Sequence, residues 1–242
     1  MKKILLSIII SSAIFAGNFS TDISLIGQIP KSEFKEEGVP TGFGLDLNGL
    51  WYPVEELGFG LNLGGTQYGS SKRSIPFNYF TDLITITEKT TNDIIYGHLL
   101  FRLIPFQGNV RPYFEGLLGI KNLNTSTELI AVNCIDNQDT AHNDCEIASS
   151  TNASDNALSY GGGAGLEVTL TSFEGNENNF IGTLSFFINA RYLLGVEAEY
   201  LKEGDITFSD PEDGPVQTTF NFSESKTDVL QISLGLHFDC VL

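Results

Sequence analysis

Thr41-Gly-Phe-Gly-Leu-Asp-Leu-Asn-Gly-Leu-Trp-Tyr52 is followed, after Pro53–Glu56, by Leu57-Gly-Phe-Gly-Leu-Asn-Leu-Gly-Gly-Thr-Gln-Tyr68. Both stretches alternate with period two, the signature of a β-strand. In the first, Phe43, Leu45, Leu47 and Trp51 share one face, and Gly42, Gly44, Asp46 and Asn48 share the other. In the second, Leu57, Phe59, Leu61 and Leu63 oppose Gly58, Gly60, Asn62 and Gly64. A soluble sandwich, or a soluble barrel of lipocalin type, turns its apolar face inward and charges its outside. Here the non-apolar face is glycine-rich and sparsely polar, which suits a narrow lumen, while the large apolar face suits lipid.

The same pattern recurs at Ser20–Ile29, Asp93–Ile104, Pro112–Asn124, Leu158–Thr171, Phe180–Leu194 and Thr218–Phe238, making eight segments in all. Each is as long as a tilted membrane strand of about 9–11 residues, or somewhat longer. The connections alternate in length. Pro53–Glu56, Pro105–Arg111 and Ser172–Asn179 are short, whereas Pro30–Pro40, Gly69–Asn92, Thr125–Ala157 and Gly195–Gln217 are long. Short turns on one side and long loops on the other predict an all-β, eight-stranded antiparallel up-and-down transmembrane β-barrel in an outer membrane. Trp51, Tyr52, Phe59, Phe106, Phe114, Phe173, Phe180 and Phe238 cluster near the short-turn ends and read as an interfacial aromatic girdle.

Met1-Lys-Lys3 followed by the apolar run Ile4–Phe15 reads as a signal peptide over residues 1–17, leaving 18–242 as the barrel domain. No later apolar run is long enough for a membrane helix. The formal net charge of −17 argues against a nucleic-acid partner, which needs clustered Lys and Arg.

Arg111-Pro-Tyr-Phe-Glu-Gly-Leu-Leu-Gly119, Tyr160-Gly-Gly-Gly-Ala-Gly-Leu-Glu167 and Arg191-Tyr-Leu-Leu-Gly195 resemble the outer membrane protein β-barrel domain family, the small eight-stranded barrels of the outer membrane protein A and opacity type. The resemblance covers most of the chain. It implies a cell outer-membrane location, with outer-membrane lipids and the barrel assembly machinery as partners. Members commonly end in an aromatic residue, whereas here Phe238 is followed by Asp239-Cys-Val-Leu242.

Parity also places charges in the lumen. Glu115 and Lys121 lie opposite Phe114, Leu118 and Ile120, and the same count turns Arg102, Glu167, Asp46 and Arg191 inward. If the turn Pro105–Arg111 is symmetric about Gly108-Asn109, Arg102 faces Glu115. Glu167 stands about as far above its own turn as Glu115, which predicts a cluster of Arg102, Glu115 and Glu167 that obstructs the lumen near the periplasmic end. His98 and His237 share the inward parity, and His142 falls in a loop. Cys134 and Cys145 lie in one outer loop of an oxidising compartment and are expected to form a disulfide.

Two outer loops concentrate acid, Glu128–Asp155 and Glu197–Asp213, and are candidate sites for divalent cations, against the plainer reading of a solvated acidic surface. No cofactor motif, metal-ligand spacing or compact Ser/His/acid arrangement stands out, so the expectation is a non-enzyme without cofactors. Three tasks fit such a chain: a structural or surface-interaction barrel with a side-chain-filled lumen, a small transporter or binder of apolar ligands, and an outer-membrane enzyme acting on lipid.

Overall fold

The computed structural model describes residues 18–76, 85–132, 144–174, 181–208 and 218–241. Residues 1–17, Cys134, His142 and Phe180 lie outside the described residues, as does the side chain of Cys145, so the signal segment and the Cys134–Cys145 pairing fall there too.

Strands β1 (Asn18–Pro30), β2 (Gly42–Val54), β3 (Leu57–Pro76), β4 (Thr85–Leu103), β5 (Val110–Val132), β6 (Asp144–Glu174) and β7 (Ile181–Gly195) follow one another around a ring. Between β7 and the last strand come four short ones: β8 (Glu197–Tyr200), β9 (Ile206–Phe208), β10 (Thr218–Phe220) and β11 (Ser223–Lys226). The final strand, β12 (Val229–Val241), pairs with both β7 and β1 and closes the barrel at eight strands. Closure gives every ladder amide a partner, a requirement in hydrocarbon, where no water replaces a missing hydrogen bond.

Period two sorts the side chains as the sequence predicts. Phe43, Leu45 and Leu47 on β2 and Leu61 and Leu63 on β3 are exposed on the outside, whereas Asp46, Asn48 and Asn62 are buried inside. Phe59, Phe106, Phe114, Phe173 and Phe238 stand exposed toward the short-turn end. Tyr52 departs from the expected girdle: it is buried and its hydroxyl accepts from Arg102 Nη1 at 3.4 Å. One residue after outward Trp51, it turns its ring into the lumen by strand parity.

The expected segments are corrected in four places. Gly69–Asn92 and Thr125–Ala157 are in large part strand, because β3–β4 and β5–β6 continue their ladders far past the apolar band. Their residues are rich in Thr, Ser and Asn, with charged side chains among them, and show little apolar alternation. Hydroxyl pairs join them across the sheet, Thr90 with Thr127 and Thr91 with Ser126, each at 3.0 Å. The segment Thr218–Phe238 is not one strand: β10 pairs with β9 and β11 with β8 before β12 enters the barrel. The connection Pro30–Pro40 holds a helical turn, α1 (Ser32–Glu36).

That turn lids the long-loop end. Phe34 is fully buried and packs edge-on against Tyr200 at 5.1 Å, beside Tyr68 and the buried Leu201. The carbonyl of Leu201 accepts from Tyr68 Oη at 3.2 Å and from Asn92 Nδ2 at 2.8 Å. Outside the lid, Glu33 accepts from the backbone amide and the ammonium of Lys226, which hold its carboxyl below the usual glutamate range.

Two outcomes are expected. The folded barrel should migrate faster on an unheated denaturing gel than after boiling, and recovery as a soluble monomer without detergent would contradict a membrane barrel. Phe34→Ala should raise amide exchange across α1 while leaving the β4–β5 ladder protected; unchanged exchange would mean that Phe34 does not hold the lid.

Candidate functional site: a charged network in the lumen

The lumen is filled by an alternating chain of charges. Arg102 on β4 donates from Nε and Nη2 to Glu115 Oε1 at 2.9 and 2.6 Å, and from Nη2 to Asp22 Oδ2 at 2.5 Å. Glu115 presents its other oxygen, Oε2, to Arg191 Nε at 2.7 Å and to Asn189 Nδ2 at 2.8 Å. Arg191 Nη1 continues to Asp46 Oδ2 at 2.9 Å. Asp46 Oδ1 then accepts from Tyr96 Oη at 2.7 Å and Asn62 Nδ2 at 2.6 Å. Both arginine side chains are 1% exposed, and each guanidinium stays charged there because two carboxylates face it. Tyr113 adds its ring face 4.4 Å from the Arg102 guanidinium carbon.

Glycine makes room for these long side chains. A methyl group at Gly165 would overlap the Tyr113 ring, one at Gly64 would overlap Tyr96, and one at Gly163 would press on Arg191 and the β7 backbone. The glycine-rich inner face is therefore the space that the tyrosines and arginines occupy.

Arg102 and Glu115 are directly opposite in the β4–β5 ladder. Asp46 and Arg191 join the same network. Glu167 does not reach Arg102, which corrects the expected three-member cluster. It lies opposite Arg111 on β5, whose Nη2 donates to Glu167 Oε1 and, at 2.9 Å, to Asp239 Oδ2. Tilted barrel strands are staggered, so equal distances from successive turns are not equal heights along the axis. Gly163, not Glu167, is the partner of Glu115. Arg111 belongs to β5 rather than to the turn. Lys121 is buried but separate: its ammonium donates to the carbonyl of Thr227 and fastens the approach to β12.

Asp22, the most buried member, was not singled out from the sequence, although its parity with Ser20 and Ser24 against Ile23 and Leu25 marks it as inward. His237 and His98 lie inside as their parity indicates. His237 Nδ1 lies 2.5 Å from Asp22 Oδ1, and His98 Nδ1 lies 2.9 Å from Asn62 Oδ1. Toward the lid, apart from Lys121, neutral pairs appear, with Thr66 Oγ1 donating to Gln28 Oε1 at 2.9 Å and Gln28 Nε2 to Gln231 Oε1 at 3.2 Å. Much of the acidic outer segments, including Asp136, Asp139, Asp210, Glu212 and Asp213, lies outside the described residues; among the described residues, the grouping with metal-ligand geometry is Glu167, His237 and Asp239, at the short-turn end.

A closed sheet with an apolar outer belt and a polar, side-chain-packed interior is a transmembrane β-barrel of the small eight-stranded outer-membrane type. The fold is similar to that of Ail, the attachment invasion locus protein of Yersinia pestis, with a TM-score of 0.40 and 16% identity over 93% of this chain and 99% of that one. It is also similar to Neisserial surface protein A, at a TM-score of 0.33 and 11% identity over 93% and 97%. The N-terminal β-barrel domain of Pseudomonas aeruginosa OprF matches at 0.30 and 13% over 92% and 98%. At such identities and TM-scores, the assignment to a membrane rests on the barrel's own faces. No family model and no curated protein matches the chain.

Arg102→Met should cost about 3–5 kcal/mol, because it strands Asp22 and part of Glu115 without a counter-charge. Urea unfolding of the refolded barrel in micelles measures this, and a loss under about 1 kcal/mol would contradict a network held by pairing.

Proposed function

We propose that the chain is an outer-membrane barrel of structural and surface-interaction type, and neither a transporter nor an enzyme. The observation that carries this reading is closure of the lumen by two unlike obstructions in series. The Arg102–Glu115–Arg191 network fills the middle, and the Phe34–Tyr200–Leu201 lid covers the long-loop end. The polar cavities at the two ends, about 230 Å³ beside Arg111 and Asp239 and about 130 Å³ beside Arg73 and Glu203, fall below the size of ordinary ligand sites, about 300–1,000 Å³.

The outward extensions of β3–β6 support a role at the surface. They form a tall four-stranded sheet carrying ion pairs such as Arg73–Glu88 and Lys89–Glu128. A rigid sheet standing clear of the membrane offers a partner more preorganised area than a mobile loop does. The net charge of −17 disfavours a polyanionic partner.

The refolded protein in a planar bilayer should show no single-channel steps and should retain no apolar ligand through detergent exchange. Recurrent conductance or stoichiometric ligand retention would overturn the reading. Shortening β3–β4 and β5–β6 to their membrane-level portions should leave the gel mobility shift intact and abolish any binding of the intact protein to host or neighbouring cells.

A further inference from the structure

At the short-turn end of the lumen, Glu167 on β6 and His237 and Asp239 on β12 offer ligand atoms that all lie within 4.8 Å of one another. We infer that this trio is a binding site for a divalent transition cation, Zn²⁺ best of all, bound by the imidazole Nε2 and the two carboxylates.

Four observations carry the inference. The first is spacing. His237 Nε2 lies 3.2 Å from Asp239 Oδ1 and 3.8 Å from the Glu167 carboxylate at Oε1, the oxygen that Arg111 also holds. Tetrahedral zinc with bonds of about 2.0–2.1 Å holds its ligands roughly 3.3 Å apart, so small adjustments close the shell.

The second is the orientation of the histidine. Asp22 Oδ1 sits 2.5 Å from Nδ1, so with Nδ1–H donating to that carboxylate, Nε2 is the nitrogen turned toward the other two groups and free to bind a cation in place of its proton. A carboxylate behind the imidazole is the arrangement that orients zinc-binding histidines and raises their basicity.

The third is an unused ligand. Arg111 takes Glu167 Oε1 and Asp239 Oδ2. Glu167 Oε2 is left buried with no hydrogen-bond partner, in a side chain only 1% exposed. A buried carboxylate oxygen without a donor carries a large desolvation cost that a metal ion would remove.

The fourth is charge. The connected lumen network holds five carboxylates (Asp22, Asp46, Glu115, Glu167 and Asp239) against three guanidinium groups (Arg102, Arg111 and Arg191). The shortfall is two charges, 5 − 3, the charge that one divalent cation would bring. The cavity of about 230 Å³ lined by Asp239, Arg111, Tyr52 and Thr183 adjoins the trio and gives it an aqueous approach and room for a water as fourth ligand.

The test uses the tag-free refolded barrel, dialysed against buffered Zn²⁺ and analysed for bound metal. One zinc per chain is expected. Glu167→Gln and His237→Gln should each weaken binding about 100-fold, and Asp22→Asn about 10–100-fold, with folding of each variant checked by gel mobility. Zinc K-edge absorption on the wild-type protein covers variants that fail to fold: it should report one imidazole with oxygen neighbours. No stoichiometric zinc, sulfur in the shell, or unchanged affinity in the folded variants would overturn the inference.

Discussion

Burial of unit charges inside a ring of eight strands is the constraint on which the rest of the molecule depends. The interior of such a ring is just wide enough for its own side chains. Arg102 and Arg191 meet there on the two oxygens of one carboxylate, Glu115, and each reaches a second carboxylate on another strand. A guanidinium needs several acceptors in its own plane, and here they come from β1, β2 and β5. The strands therefore cannot change register singly. A one-residue slip would turn Glu115 toward lipid and leave both arginines short of a partner.

The two ends of the barrel solve different problems. At the lid end the filling is mostly neutral and then apolar, from the Gln28–Gln231 pair to Phe34 and Leu201, with the Lys121 ammonium buried against the Thr227 carbonyl. Water is excluded there by packed rings. At the short-turn end charge persists to the rim, where Arg111 and Asp239 border open solvent at 16% side-chain exposure each. The gradient gives the lumen a dry cap and a wet mouth, and it puts the least saturated carboxylate, Glu167, next to the wet one.

Legibility in the sequence followed physical simplicity. Which way Phe43, Asp46, Glu115 and Arg191 point was readable because strand parity has one period and no exceptions along a regular ladder. The Arg102–Glu115 register was readable because the β4–β5 turn is short and the ladder unbroken. The position of Glu167 was not, since strand stagger and the irregularity between Thr169 and Thr171 are properties of the assembled ring. The outer halves of β3–β6 were hidden because Thr, Ser and Asn pair through hydroxyls and amides, leaving little apolar alternation to detect. Asp22 was in plain view by parity but has short polar neighbours, and only the fold reveals that Arg102 and His237 converge on it.

Asp22 lies on the first barrel strand and His237 on the last, facing each other across the seam where the ring shuts. An open sheet of the first seven strands would leave Asp22 on its free edge without His237, its neighbour on the last strand. Insertion of the final strand supplies the imidazole while also completing the main-chain ladder. Closing the ring and completing the charge pairing at its seam are thus a single event. Such a molecule is expected to be present in the membrane either whole or not at all, so its abundance at the cell surface would be decided at insertion rather than by later turnover.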